Sequence, residues 1–298
     1  MDGRENKLVK GFRPILKPMI KYRGGKSREL DRLIPWVPDV FDTYFEPFFG
    51  GGAMYFALSP KKSIINDLNT PLMSFYRDVA ESYDRLHAEL AEIECVYERN
   101  RTAFEVLKRE NPDERVQDAN EELYYLMRDQ FNGIKPTPFL DGTLYYYINK
   151  TSYSGMIRYN RSGEFNVPYG RYRHFNTKVV TLNHSLLLKN AILMNVDFED
   201  ILSKCNEDDF VFLDPPYDSP FSDYGNVETR DGFSENDHRR LAEIFFDLPC
   251  KALLVIGSTP LTESLYGNHV VSRYDKSYAV NIRNRFKANS QHIVVTNS

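Results

Sequence analysis

Short apolar runs followed by turn residues recur along the chain and predict a sheet whose strands alternate with helices. The runs that we predict as buried strands span residues 44–49, 63–66, 191–196, 210–213, 252–256 and 293–296. Helix-compatible stretches, such as residues 238–246, lie between them. This alternation is typical of an α/β fold with a largely parallel sheet.

A different pattern occupies the middle of the chain. From residue 72 to about residue 109, apolar side chains recur every three to four positions, which predicts one long helix or two. A further helix is predicted over residues 121–131, and residues 158–165 are typical of a β-hairpin that turns at Ser162 and Gly163. We therefore interpret residues 1–70 and 179–298 as one α/β domain, interrupted at residues 71–178 by a mostly helical insert with a basic loop.

Composition excludes several classes of protein. The 298 residues are 42% hydrophobic and 14% aromatic, which excludes a disordered chain. The longest apolar runs are far shorter than the roughly 18 residues that a membrane-spanning helix needs, so we expect a cytoplasmic protein without a membrane partner. The three cysteines are dispersed, and their spacing predicts neither a disulfide framework nor a metal site.

Charge is sorted along the chain although the formal net charge is only −4. Residues 1–30 hold nine Lys and Arg against three acids, residues 150–178 hold six against one, and residues 269–292 hold five against one. Residues 78–122 hold fourteen acids against six bases. Such segregation permits a basic surface for phosphate groups on an acidic body, although charge runs are also common on ordinary solvated faces.

The motif with the clearest chemistry is Asp214-Pro215-Pro216-Tyr217, directly after the predicted strand 210–213. Ligands of open α/β sheets bind beyond the carboxyl ends of the strands, so this carboxylate is well placed. Asp214 and the carbonyl of Pro215 can accept both hydrogens of an exocyclic amine, and Tyr217 offers a ring for stacking. A plain Pro-rich turn after a strand is the alternative.

A glycine-rich turn after the first predicted strand suggests a nucleoside-containing cofactor. Residues 45–53 read Phe-Glu-Pro-Phe-Phe-Gly-Gly-Gly-Ala, and glycines at the end of a strand let a ligand approach the backbone. Asp67 ends the next strand, where a carboxylate is placed to take ribose hydroxyls or an adenine amine. The dinucleotide fingerprint is absent, because it requires glycine where Tyr55 stands.

Two further motifs carry less weight. The stretch 21–27 ends in Gly-Lys-Ser, but a P-loop requires glycine at Ile20 and a preceding strand, so a kinase-like enzyme is disfavoured. Pro249-Cys250 matches the nucleophile motif of cytosine-ring methyltransferases. We interpret Cys250 as a small buried thiol, because it stands at the entry of an apolar strand.

Together these segments resemble the DNA adenine (N6) methyltransferase family, in its Dam-like group with cofactor motifs first, target-recognition domain next and Asp-Pro-Pro-Tyr last. The resemblance covers about residues 19–296. Its markers are KYRGGK at 21–26, FEPFFGGGA at 45–53, INDLN at 65–69, RYNRSGEFNVPYGRY at 158–172, DPPY at 214–217 and the final IVVTN. The ordered set is specific, whereas each motif alone is weak.

The resemblance implies a Rossmann-like S-adenosylmethionine-dependent methyltransferase core at 1–70 and 179–298, and a target-recognition domain at 71–178. It implies that adenine is held by Asp214, Pro215, Pro216 and Tyr217. It implies cofactor contacts from Tyr22, Lys26, Glu46, Gly50, Gly52, Asp67 and Asp214. It implies approach to double-stranded DNA by Tyr153, Arg158, Asn160, Pro168 and Tyr172. The family usually has Trp at the Tyr22 position, and the aromatic ring is kept here.

The hypothesis is therefore methyl transfer to the amino group of an adenine rotated out of the duplex, in an enzyme paired with a restriction endonuclease. Methylation of the cytosine amino group and a non-catalytic DNA-binding role remain alternatives, and Asp at the first motif position favours adenine. Arg158 reads guanine or contacts a phosphate. Relatives that read GATC have Asn where Ser154 stands, so the resemblance does not carry the GATC target over. The oligomeric state is left open.

Overall fold

The computed structural model describes residues 15–155, 157–160, 162–218, 232–276 and 290–297. Within them lies a sheet of seven strands, in the spatial order β3-β2-β1-β4-β5-β7-β6. The strands are β1 (Tyr44–Glu46), β2 (Ser63–Asn66), β3 (Ala191–Met194), β4 (Phe210–Leu213), β5 (Lys251–Gly257), β6 (Val270–Lys276) and β7 (Ser290–Thr296).

The first five strands are parallel, and β7 is antiparallel to both β5 and β6. The chain builds outward from β1 through β2 to β3, then returns to place β4 on the other side of β1. The strand order therefore reverses between β1 and β4. In open α/β sheets such a switch point is where the carboxyl ends of the strands leave a crevice for ligands.

Ten α-helices lie within the described residues. They are α1 (Leu30–Leu33), α2 (Ala53–Leu58), α3 (Thr70–Glu81), α4 (Tyr83–Glu110), α5 (Ala119–Phe131), α6 (Asp141–Thr151), α7 (Leu182–Lys189), α8 (Phe198–Leu202), α9 (Glu235–Asp247) and α10 (Pro260–Tyr266). Side-chain caps fix several starts. The Asn69 side chain accepts a hydrogen bond from the backbone N–H of Leu72 at the start of α3, and Ser234 forms a capping box with Asp237 at α9.

All six predicted strands are confirmed, with ends that differ by a few residues at most. The periodic stretch from residue 72 is two helices, α3 and α4, which meet at Ser82. Helix α6 was not predicted, because Tyr145, Tyr146 and Tyr147 are all buried in succession and leave no polar face to reveal a helical period. Strand β6 was missed because Arg273 and Asp275 interrupt its apolar pattern.

Both faces of the sheet are covered, as alternate residues of β4 show. Phe210 and Phe212 belong to a core cluster on one face, and Val211 and Leu213 to a cluster on the other. The second cluster packs against α8 and α9. The first runs without a break into helices α3 to α6, where it includes the side chain of Tyr145. The sheet and the middle helices thus share a core.

Among the described residues, no helix is at once long enough and apolar enough to cross a membrane.

Candidate active site

A cavity of about 180 Å³ opens at the switch point, beyond the carboxyl ends of β1, β2 and β4. Its walls come from segments far apart in sequence. They are residues 22–26, 46–54, 66–68, 197–198, 212–217 except Leu213, and 232–240 in part. The glycine-rich turn, the acid after β2 and the Asp-Pro-Pro-Tyr motif, which were predicted separately, therefore line a single cavity.

Asp214 and Lys26 form a close ion pair in this cavity. Lys26 Nζ lies 2.6 Å from each carboxylate oxygen of Asp214 and also donates to the carbonyl of Gly24, at 2.8 Å. The Lys26 side chain is only 2% exposed, whereas that of Asp214 is 19% exposed. Because the ammonium group lies equally close to both oxygens, it holds the carboxylate in position at the end of β4.

The rest of the motif follows Asp214 along the cavity wall. Pro215 is buried, and Pro216 and Tyr217 are half-buried. Lys26 Nζ lies 5.0 Å from the centre of the Tyr217 ring, the distance of a cation–π contact. Lys26 therefore contacts both the carboxylate and the aromatic ring of the motif, and it orients the two relative to each other.

Glycine is required at Gly50 by both conformation and space. Its φ is +47°, and a Cβ atom there would lie 2.8 Å from Cδ1 of the Tyr22 ring. The carbonyl of Gly50 accepts a hydrogen bond from the Tyr76 hydroxyl at 2.9 Å. Gly52 also has a positive φ, +65°, and directly precedes α2. The turn is thus held tightly against Tyr22, and burial raises the pKa of the Tyr22 hydroxyl well above its ordinary value.

Asp67 is held rigidly after β2. One carboxylate oxygen accepts from the backbone N–H of Gly50 at 2.8 Å and the other from that of Asn69 at 2.9 Å. The neighbouring Asn66 donates to the carbonyls of Pro47 and Val196 at 3.0 and 2.9 Å. These bonds tie together the ends of β1, β2 and β3.

Glu46 is a buried carboxyl at the end of β1. Its Oε2 accepts from the Tyr44 hydroxyl at 2.6 Å. Burial raises the pKa of Glu46 well above its ordinary value, and the negative charges of Asp214 and Asp67 add to this effect. A positive charge placed in the cavity would stabilise the ionised form of this group.

The part of the cavity wall formed by Asp197, Phe198, Phe233 and Arg240 was missed in the sequence. Phe48, Phe198 and Phe233 form a cluster of three rings with centres 5.5 to 5.8 Å apart. Arg240 lies over the Phe198 ring at 4.4 Å and pairs with Asp197 through two bonds of 3.0 and 3.1 Å. The signal for Asp197 and Phe198 was their position directly after the third predicted strand, at the same edge as Asp67.

The five predicted DNA contacts lie outside the cavity, on the loop that follows α6. Tyr153 and Arg158 are exposed, and so is Pro168, whose carbonyl accepts from the backbone N–H of Tyr153 at 2.9 Å. The Tyr172 ring lies 4.6 Å from Lys21 Nζ. This contact joins the loop to the segment that leads to Tyr22, which lines the cavity.

The predicted hairpin turn is confirmed by an antiparallel bridge between Tyr159 and Phe165. The side chain of Asn160 closes this turn, because its Oδ1 accepts from the backbone N–H groups of Ser162 and Glu164, each at 2.9 Å. Nε of Arg158 donates to Oδ1 of Asn166 at 3.0 Å. Asn160 therefore stabilises the turn. Among these hydrogen bonds, the one to Asn166 is the one that orients the exposed guanidinium of Arg158.

Residues 22–282 match the family described as D12 class N6 adenine-specific DNA methyltransferase. The chain belongs to this family. It is an adenine-specific DNA methyltransferase, and its seven-stranded α/β fold agrees with that of an S-adenosylmethionine-dependent methyltransferase.

Named relatives align with almost all of this methyltransferase. The type II methyltransferase M.CviBI of Paramecium bursaria Chlorella virus NC1A is 31% identical over 95% of this chain and 100% of its own. M.MjaIII of Methanocaldococcus jannaschii, also a type II methyltransferase, is 34% identical over 85% and 87%. The Retron Ec67 DNA adenine methylase of Escherichia coli is 30% identical over 85% and 81%.

The family settles the choice between adenine and the alternatives. Cytosine as the target and a non-catalytic role both give way to adenine methylation. The Gly-Lys-Ser stretch is no P-loop, since it precedes β1 and its lysine contacts Asp214. Cys250 is buried at the entry to β5 and does not line the cavity, as expected for a packing residue.

Proposed function

We propose that the methyltransferase binds S-adenosylmethionine in the cavity and methylates an adenine that is rotated out of double-stranded DNA and held by Asp214, Pro215 and Tyr217. The observation that carries the proposal is the placement of Asp214 at the end of β4, in the cavity that the glycine turn also lines. Roles for individual residues follow from their positions there.

The chemistry of the cavity fits this cofactor. Asp67 has acceptors suited to ribose hydroxyls, the three-ring cluster of Phe48, Phe198 and Phe233 is suited to a flat base, and the buried Glu46 is suited to a cation. Gly50 leaves no Cβ between the turn and Tyr22. We propose that Tyr22, Lys26, Glu46, Gly50, Gly52, Asp67 and Asp214 form the cofactor site. When bound, S-adenosylmethionine supplies a methyl group on a sulfonium, from which a neutral thioether departs readily as the leaving group.

The protein contributes orientation. The carboxylate of Asp214 and the carbonyl of Pro215 accept the two hydrogens of the adenine amino group, which turns the nitrogen lone pair out of conjugation with the ring. Tyr217 stacks on the base and offsets part of the few kcal/mol that unstacking costs. Lys26 holds the Asp214 carboxylate in place until the amino group arrives, so little reorganisation is needed.

We propose that residues 71–178 recognise the target and that residues 1–70 and 179–298 carry the catalytic machinery. Tyr153, Pro168 and Tyr172 place the loop on the duplex, and Arg158 reads a guanine with its two terminal nitrogens. In the free protein the side chain of Asn160 closes the turn by accepting from the backbone N–H groups of Ser162 and Glu164. To read an adenine, this side chain has to give up these hydrogen bonds and form new ones with the base. The basic segments supply phosphate contacts.

We further propose that the enzyme is the modification partner of a restriction endonuclease. The type II methyltransferases among its relatives, from a virus, an archaeon and a bacterium, support this pairing. The relatives named DNA adenine methylase support a solitary enzyme instead. A plasmid that carries the recognition site, with and without its methylation, is challenged with extracts of the source cells. Cleavage of the unmethylated plasmid alone supports the pairing, and cleavage of neither plasmid supports a solitary enzyme.

The decisive experiment is expression in a methylation-free host followed by modified-base sequencing of its DNA. We expect N6-methyladenine at one short recognition sequence. Asp214→Ala should abolish the modification while DNA binding persists. Asp42→Ala is the matched control, because it removes an exposed carboxylate paired with Lys62. Full methylation by Asp214→Ala would refute the assignment of the catalytic motif.

A further inference from the structure

The buried carboxylate of Glu29 links strands β6 and β7 to the segment that carries Lys26. Glu29 is 6% exposed and stands directly before α1, and its backbone N–H donates to the carbonyl of Lys26 at 2.7 Å. Its Oε2 accepts from the hydroxyl of Tyr274, in β6, at 2.6 Å. The same oxygen lies 2.9 Å from Nδ1 of His292, in β7. Glu29 thus joins the segment that carries Lys26 to two strand residues that lie 245 and 263 positions further along the chain.

His292 connects this carboxylate to the catalytic motif. The imidazole is fully buried, and its ring centre lies 5.1 Å from that of Tyr217, with the two planes nearly perpendicular at 82°. Edge-to-face contacts of this kind prefer one relative orientation. On its other side, the His292 ring also packs against Tyr274, at 5.5 Å.

The bonds to Glu29 restrict the imidazole further. An ionised carboxylate only accepts hydrogen bonds, so the contact with Oε2 places a proton on Nδ1 of His292 and fixes the ring plane. Arg32 lies over the Tyr274 ring at 4.7 Å, so this ring is held from a second side. Burying a carboxylate and an imidazole in a core is costly unless they are paired, and pairing them specifies orientation in a way that apolar packing would not.

We propose that His292, oriented by Glu29, is a positioning residue for Tyr217 that sets the angle at which Tyr217 stacks on the target adenine. The inference rests on the proposed role of Tyr217 as the stacking residue. His292 does not line the cavity, so it acts through the tyrosine ring. Lys26 holds the same ring from the cavity side, and His292 holds it from within the sheet.

Three variants separate the ring contact from the hydrogen bond. His292→Ala removes both the contact with Tyr217 and the donor to Glu29. His292→Phe removes only the donor and keeps an aromatic edge. Tyr274→Phe is the matched control, since it deletes the other donor to the same Glu29 oxygen and leaves the Tyr217 contact intact.

Three measurements are made on each folded variant, at temperatures well below its thermal unfolding midpoint. The first is the single-turnover methyl-transfer rate on DNA from a methylation-free host, and the second is the equilibrium affinity for S-adenosylmethionine. The third is the fluorescence of 2-aminopurine placed at the methylated position of a duplex, which stacking on tyrosine quenches. Tyr217→Ala supplies the emission of a base that is flipped but not stacked.

We expect His292→Ala to slow transfer about tenfold, to leave the cofactor affinity within about twofold, and to raise 2-aminopurine emission toward the Tyr217→Ala value. His292→Phe, which keeps an aromatic ring but loses the bond to Glu29 that orients it, should fall between His292→Ala and the wild type in both rate and emission. Tyr274→Phe should stay within about threefold of the wild-type rate, with quenched emission. An unchanged rate and emission in His292→Ala would overturn the inference, as would an equal loss in Tyr274→Phe. Failure of the wild-type protein to methylate any DNA would instead refute the proposed function, and this inference with it.

Discussion

Replacement of Gly50 by alanine tests how far the cavity depends on the contact between the glycine turn and Tyr22. The new Cβ would lie 2.8 and 2.9 Å from Cδ1 and Cε1 of the Tyr22 ring, closer than real Cβ atoms approach other heavy atoms. The φ of +47° adds strain for any residue with a Cβ. Gly133 is the matched control, because its φ of +70° carries similar strain while nothing lies within 4 Å of its added Cβ.

The two substitutions should therefore differ by the cost of moving the Tyr22 ring. A left-handed conformation costs an L-residue about 1–2 kcal/mol, and both variants incur this. Overpacking a well-filled site costs a further 1–3 kcal/mol or so, which only Gly50→Ala incurs. At roughly 2 °C per kcal/mol for a chain of this size, Gly133→Ala should lower the unfolding midpoint by about 2–4 °C and Gly50→Ala by about 4–10 °C.

Thermal unfolding and calorimetric titration with S-adenosylhomocysteine measure the two consequences separately. Since Tyr22 lines the cavity, Gly50→Ala should weaken binding at least about tenfold, and Gly133→Ala should leave it within about twofold. Equal losses of stability in the two variants would mean that the Tyr22 ring moves freely. Wild-type affinity in Gly50→Ala would show that the position of this ring is immaterial to the cofactor.

Three further predictions address the ion pair, pH and recognition. In a double-mutant cycle of Lys26→Met and Asp214→Asn, measured by urea unfolding, the coupling free energy between the two side chains should be about 3 kcal/mol, because Lys26 is almost fully buried. Additive effects of the two substitutions on the free energy of unfolding would show that the ion pair does not stabilise the fold. Burial and the neighbouring charge of Lys21 lower the pKa of Lys150 to about 8. Between about pH 8 and 10.4 the unfolded chain therefore holds more protons than the folded chain, so the free energy of unfolding should rise with pH over that window. Lys150→Met should flatten this rise, and equally steep curves would refute the assignment to Lys150. Arg158→Ala should relax sequence preference at one base pair, as read by modified-base sequencing, whereas a uniform loss of affinity for all sequences would identify Arg158 as a phosphate contact.

The sequence predicted the location of the site because parallel strands bring their carboxyl ends to one edge. Asp67 and Asp214 each follow a short apolar run, and the rule that ligands bind at that edge is enough to group them. No rule of this kind predicts that Lys26 pairs with Asp214 or that Glu29 pairs with His292. Those residues lie 188 and 263 positions apart, and only the folded sheet brings them into contact.

Helix α6 illustrates a second limit of sequence patterns. Amphipathic periodicity reveals helices that have a solvent-exposed polar face, and α3 was predicted in this way. The three consecutive tyrosines of α6 are all fully buried, and their rings contact Phe75 of α3, Tyr124 of α5 and Phe175 of the loop after α6. A segment buried all round gives the same apolar signal whether it forms a helix or a strand.

The core shared by the sheet and the middle helices has a consequence for how target specificity diverges in such enzymes. Phe75 and Tyr145 pack in the same cluster as Phe210, so exchanging residues 71–178 between two relatives would also exchange part of the core that packs on the sheet. A chimera made this way inherits mismatched packing surfaces. Changes confined to the exposed loop after α6 avoid that problem. With the role proposed for Arg158, new recognition sequences are more accessible by point substitution at that position than by recombination of whole segments.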